Sequence, residues 1–463
     1  MAAFDLALSC IRDGSHDLLR PDALNQLAGE MGHDFRNTAL TPGNTLRLFA
    51  QQIAGGNVAC SAMRHLAGDD FTDSAWCQAR KRLPIGLIRA CHRTVVDHAR
   101  REWDSDNDKD GNGGRWRGHR VYVVDGTSDS MPDTPELRQH YGVPSGCRDG
   151  LGFPTSHLLL LMDHASGLMI DCSDSPMKTS DLSQTPPMHA HLSAGDLLLG
   201  DVAFSGWAHL ALILQAKLHV VMPVHHRRIV DFTPDREHAR PQSGKSTRHA
   251  TGKPRTRVVE RLAKDDQLVE YFKSSQKPAW MSDEDWAKLP QSIILREIRR
   301  TIQRHGFRPM VVTIVTTLLD PQKYPAQDLI ELRLTRWIIE TNFRHLKITL
   351  GMDVLKCKTL DGVRKERLMF LLVYNLIRIV MLRTAKAQGV DANRVSFADT
   401  LAWLRLASDA SDGSRIVRLK TNPLRPGRLE PRVLKRQTKQ FPYMTQPRAE
   451  LKSQLHAQHS LTA

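Results

Sequence analysis

At 463 residues the chain exceeds what one hydrophobic core usually serves, so several domains are expected. Its hydrophobic fraction of 41% is ordinary for a soluble globular protein, but a formal charge of +15 and an isoelectric point near 9.7 are not. A basic excess of that size favours a polyanionic partner, nucleic acid before an anionic membrane.

The opening "MAAFDLALSCIRDGSHD" meets charged and polar residues before any long apolar run, so no secretory signal is read there. The 7 cysteines are scattered without paired spacing, which argues against a Cys-type zinc site and fits reduced thiols in a cytoplasm. Residues 1–105 read as helices. "TPGNTLRLFAQQIAGG" has a Thr/Asn start and a Gly-Gly stop, and "ARKRLP" ends a second helix with Arg80, Lys81 and Arg82 before a break at Pro84. A helical N-terminal domain with a basic helix fits a DNA reader, and equally a solvated charged face on a bundle. Residues 106–120 form a polar, Gly-rich linker. Its "DNDKDG" resembles the start of a calcium loop, but Arg117 stands at the twelfth position where a bidentate acid belongs, so calcium is disfavoured.

From residue 121 the pattern is that of a mixed sheet with flanking helices, an α/β fold. "VYVVDGTSDS" is a buried strand running into an acid, and "HLLLLMDHASGLMIDCSDS" is two strands around the turn Ala165-Ser166-Gly167. "DLLLGDVAF" is a second buried run ending in an acid, followed by the helix "GWAHLALILQAK" and the strand "LHVVMPV". Residues 225–325 alternate basic loops with the strands "TRVVERL", "SIILREIRR" and "PMVVTIVTTLL", which reads as a β-rich insertion. Residues 326–410 are helical again: "RLMFLLVYNLIRIVMLR" is broken by Asn375 and Arg378, so it reads as a buried helix and not a membrane span. Residues 411–463 are a basic, Pro-bearing tail, read as disordered or draped over a polyanion.

Asp125 and Asp201 each end a buried strand, where open α/β sheets place their sites. "TRWIIETNFRHLK" puts Arg336, Glu340 and Lys347 within about 40° on one helix face, with Arg344 on the flank. Each acid has an ordinary reading, Asp125 and Asp201 as turn formers and Glu340 as the partner of Arg336 and Arg344. Together they form an oxygen-donor set for two Mg²⁺ ions about 3.5–4 Å apart.

In order, "ARKRLP", "DGT" (125–127), "GDVAF" (200–204), "TTLLD" (316–320), "RWIIETNFRHLK" and "YNLIR" (374–378) resemble a DDE transposase of the insertion-sequence-four family over roughly residues 40–450. The resemblance implies a ribonuclease H-like catalytic domain split into 121–224 and 326–410 by the insertion, with Asp125, Asp201 and Glu340 as catalytic metal ligands. It implies Mg²⁺, with Mn²⁺ as a substitute. Arg336 and Lys347 would hold DNA phosphates, joined by Arg344 and by Arg333, which stands where the family has Tyr. The second Asp is followed by Val202-Ala203 where Arg-Gly is often found. The implied partners are double-stranded DNA, both terminal inverted repeats and target, and a second copy in a synaptic homodimer, with no membrane. A bacterial cytoplasmic, nucleoid-associated protein is expected. An insertion-domain aromatic that receives a flipped base would be Trp280 or Trp286, against a core role for each. The rival is a non-catalytic DNA-binding protein descended from a transposase. A haloacid dehalogenase reading of "VVDGTSD" fails, because Thr127 stands where a second acid is required.

Overall fold

Val121, Tyr122, Val123 and Val124 are all buried, apolar on both faces, so the strand they begin has to be an interior one. The computed structural model describes residues 20–67, 71–108, 114–147, 150–225, 228–238, 254–303, 309–406 and 418–423, with short pieces of 446–457. Most of the basic tail and part of the calcium-like loop lie outside the described residues.

Among the described residues five helices come first: α1 (Pro21–Glu30), α2 (Pro42–Ala54), α3 (Met63–Ala67), α4 (Asp73–Arg82) and α5 (Ile85–Asp106). The start signals behave as expected, Thr41 accepting from the Asn44 N–H and Thr72 from the Ala75 N–H. The α/β part follows as β1 (Val121–Ser130), α6 (Pro135–Tyr141), β2 (Thr155–Asp163), β3 (Met169–Pro176), α7 (Asp181–Met188), β4 (Leu197–Leu199), α8 (Trp207–Gln215) and β5 (His219–Pro223). Residues 225–325 supply β6 (Thr256–Ala263), β7 (Asp266–Phe272), α9 (Asp283–Lys288), β8 (Ser292–Ile302) and β9 (Met310–Thr316). Helices α10 (Ala326–Leu334), α11 (Ile338–Arg344), α12 (Leu360–Gln388) and α13 (Phe397–Leu406) complete it.

All the described strands form one 9-stranded sheet in the order β3-β2-β1-β4-β5-β9-β8-β7-β6. Strands β1, β4 and β5 are parallel, β2 and β3 antiparallel to their neighbours. The strands of 225–325 continue the same sheet, because β9 pairs antiparallel with β5.

Helix α12 packs against α5, α2 and α13. It is the one described helix long and apolar enough to cross a membrane, and 89% of its apolar window is buried within the protein. Its polar interruptions are what hold the sheet edge. Asn375 acts as a surrogate strand: its Oδ1 accepts from the Met169 N–H at 2.9 Å and its Nδ2 donates to the Met169 carbonyl at 2.8 Å. Arg378 donates to the Ser166 carbonyl, and Tyr374 to the Gly167 carbonyl. Gly167, at φ +72°, leaves room for that arginine, since a Cβ there would lie 2.8 Å from Arg378 Nε.

Candidate active site

Strand register builds the site. On parallel β1 and β4, Val123 pairs with Leu199. Two residues further on, Asp201 has left β4, which ends at Leu199, but the expectation that Asp125 also ends its strand is corrected: β1 runs on to Ser130, and Asp125 stands in its middle, just beyond its last pairing with β4. Gly200 permits the tight exit: a Cβ would meet Phe204 at 3.1 Å and Met222 at 3.2 Å. Asp201 then caps the 3₁₀ turn Val202–Phe204 by accepting from the Val202 N–H at 2.6 Å.

The period of two in β1 turns Asp125, Thr127 and Asp129 to one face. Each meets a cation from the helical layer. Arg336 Nη1 lies 2.6 Å from Asp125 Oδ2, and Lys347 Nζ donates to Thr127 Oγ1 at 3.1 Å. Arg367 binds both Asp129 oxygens at 2.7 Å. The last pair was not legible, because its partners lie 238 residues apart; the Asp-x-Thr-x-Asp alternation was the available signal.

The continuous α-helix expected over 335–347 is corrected. The segment is a 3₁₀ turn (Thr335–Trp337), then α11, then a π-helical turn (His345–Thr349). The Leu350 N–H reaches back five residues to the His345 carbonyl at 3.0 Å. His345 stacks on Phe397 with ring centroids 4.6 Å apart, which fits the extra residue into the core. Of the three side chains expected on one face, Arg336 and Glu340 meet at 3.5 Å, and Lys347 turns to Thr127.

The electrostatics tie the acids together. Burial lowers the Arg333 guanidinium to about 10, helped by the like charge of Arg336, while Asp201, Asp125 and Glu340 oppose it. One guanidinium thus feels all three acids. Burial raises the Asp125 carboxyl above its ordinary range, with Asp201 adding to the rise and Arg336 and the Gly126 N–H opposing it. Among the described residues, the Nε atoms of Arg333 and Arg336 are buried without a hydrogen-bond partner.

Other expected site residues divide. Arg80 is withdrawn as a DNA contact. Its guanidinium lies 3.9 Å over the Phe49 ring and donates to Gln52 Oε1 and to the sulfurs of Cys60 and Cys357. Lys81, Arg82 and Arg344 are exposed. Trp286 packs edge-on against Trp207 beneath Lys273, and Trp280 is half-buried against the core, so both have packing roles.

Asp125, Asp201 and Glu340 are hard oxygen donors of the kind Mg²⁺ takes. Among the described residues no three His, Cys, Asp or Glu side chains converge tightly enough to form a ready-made metal site. The Arg336 guanidinium bridges Asp125 and Glu340 instead, so the acids fit a divalent ion by donor type and by charge.

A model described as the transposase DDE domain matches residues 116–376, more than half of the chain. The chain belongs to the DDE transposase family. Within it, the transposase is similar to InsG, the transposase of insertion sequence element IS4 from Escherichia coli K12, at 24% identity over 80% of this chain and 78% of that one. It is also similar to InsZ of the same organism, at 26% identity over 28% of this chain and 42% of that one. A solved piggyBac transposase synaptic complex with hairpin DNA overlaps 88% of this chain and 80% of that one, at 10% identity and a TM-score of 0.40.

A histidine pair braces the Asp201 turn of this transposase. His209 Nδ1 donates to the Phe204 carbonyl at 2.7 Å, which leaves its Nε2 to accept from His189 Nε2 at 3.1 Å. Burial lowers His209 to about 3 and His189 to about 4, from 6.5. A histidine depressed on folding gives stability that is complete above about pH 6.5 and lost as pH falls towards 4. The melting temperature is therefore expected to fall across that window, and His209→Asn to flatten the slope; an unchanged slope in that variant would contradict the assignment.

Proposed function

We propose that this transposase cleaves DNA at the ends of its element and joins the freed ends to target DNA, by metal-dependent phosphoryl transfer at Asp125, Asp201 and Glu340. The observation that carries the reading is that Arg336 contacts both Asp125 on β1, at 2.6 Å, and Glu340 on α11, at 3.5 Å, while Asp201, just past the end of neighbouring β4, adds its charge to that felt by Asp125. The strand order 3-2-1-4-5, with only the first two steps antiparallel, supports a ribonuclease H-like catalytic core over 121–224 and 326–410. Residues 225–325 are then an insertion that lengthens its sheet, and 1–105 a helical domain for DNA.

A pair of Mg²⁺ ions, when bound, would supply Lewis-acid stabilisation of the attacking and leaving oxygens. The chain's own residues would do the rest. Asp125, Asp201 and Glu340 would hold the ions, Asp125 only while ionised. Arg333 and Arg336 have buried donors that lack acceptors among the described residues, which suits the oxygens of a phosphate backbone. Lys347 is aimed by Thr127, and Arg344, Lys81 and Arg82 are exposed at the surface for further phosphates. Two DNA ends held together would require two copies of the chain.

The test is magnesium-dependent nicking of a duplex carrying the inverted repeats that flank the coding DNA. Cleavage is expected, and any cleavage excludes the non-catalytic reading. Unchanged activity in Asp125→Ala would end the assignment.

A further inference from the structure

The guanidinium of Arg336 touches two of the three carboxylates in this site, where it occupies a position that a metal ion would need. Arg336 Nη1 lies 2.6 Å from Asp125 Oδ2, and its Nη2 lies 3.5 Å from Glu340 Oε1. The Asp125–Arg336 pair is sheltered, with side chains 18% and 12% exposed, so it is weakly screened. We infer that Arg336 is a resident counter-ion that holds divalent cations out of the acid cluster until DNA arrives, making metal and DNA binding interdependent.

This rests on the reading of the three acids as metal ligands. The first argument is steric. A carboxylate oxygen in contact with a guanidinium nitrogen at 2.6 Å has no room to ligate an ion on that side. The second is charge. With Arg333 and Arg336 in place the acids keep about one uncompensated negative charge, so two divalent ions would turn the cluster strongly positive. Arg333 sharpens this, because it repels Arg336 and is itself half-buried with its Nε unpaired. Lys347, on the next rung of β1, adds another positive charge nearby.

Arg336 therefore leaves Asp125 only for another anion. Within the described protein its Nε has no acceptor. A phosphodiester offers oxygens in the planar geometry that a guanidinium matches, together with the negative charge that the metal-loaded cluster lacks. If DNA draws Arg336 away and thereby favours metal, metal favours DNA by the same factor.

The experiment measures Mn²⁺ binding to the full-length protein by electron paramagnetic resonance and calorimetry, with and without duplex DNA. The wild type is expected to bind Mn²⁺ weakly alone and at least about tenfold more tightly with DNA. Arg336→Gln is expected to bind Mn²⁺ about tenfold more tightly than the wild type without DNA, and to gain little from DNA. Arg336→Lys, which keeps the charge, is expected to stay close to the wild type, and provides a folded comparison if the glutamine variant is unstable. Equal Mn²⁺ affinity of Arg336→Gln and wild type without DNA would overturn the inference. Asp201→Asn separates the two levels. Loss of DNA-supported Mn²⁺ binding in that variant upholds the ligand assignment even where the counter-ion role fails, whereas retention of full binding there overturns both.

Discussion

Asp201→Asn is expected to lower DNA cleavage by roughly a thousandfold or more, the order of loss when a preorganised electrostatic group is removed, while leaving the fold intact. Asparagine keeps the size of the side chain and an oxygen that can accept from the Val202 N–H, so the 3₁₀ cap survives. What it removes is a negative charge that raises its neighbour Asp125. A carboxyl whose folded value is raised binds its proton more readily when folded, so its ionised form opposes folding at neutral pH. Relieving that repulsion predicts a melting temperature equal to or above that of the wild type. Cleavage kinetics and a thermal melt on the same sample check both halves. A variant that loses activity by unfolding would not support the assignment.

Arg367→Leu is expected to cost about 3–5 kcal/mol of stability, because it strands a buried carboxylate. Arg367 is 1% exposed and Asp129 2%. The guanidinium binds both Asp129 oxygens, Ser156 Oγ at 2.7 Å and the Tyr141 hydroxyl at 3.0 Å, and thereby fixes β1 to β2, α6 and α12. Urea unfolding should show the loss. The double variant Asp129→Leu/Arg367→Leu should recover part of it, since removing both charges leaves neither uncompensated. If the single variant unfolds at the wild-type midpoint, the third rung of the β1 ladder has no structural weight.

Much of this was readable along the chain. Strand β1 appears with the expected limits because its apolar half and its alternating half both speak for a strand, and α12 because a long apolar run broken only by Asn375 and Arg378 has one economical burial. Strand β7, "DQLVEYF", went unread: buried Gln267 and Asp266 look polar in sequence, although they are satisfied by Glu297 and Arg296 on the neighbouring strand. Arg80 misled for the converse reason. A basic run looks solvated, and only the fold shows Phe49 and two thiols closing around one member of it. The break of 335–349 into three kinds of helix depends on His345 finding Phe397, a contact that no local propensity encodes.

Asp201 follows the end of its strand as expected, whereas Asp125 lies within β1, and what lies between the acids was not legible. Opposite charges four apart on a helix gave the Arg336–Glu340 contact. The same guanidinium also reaches Asp125, 211 residues away, and that shared use was invisible in one dimension.

The most direct measurement is the metal preference of cleavage in Asp201→Cys, which replaces a hard oxygen donor with a soft thiolate. If Asp201 ligates the reacting cation, cleavage should nearly vanish in Mg²⁺ and return in part in Mn²⁺, which accepts sulfur more readily. Cleavage at the wild-type rate in Mg²⁺ would show that Asp201 holds no metal.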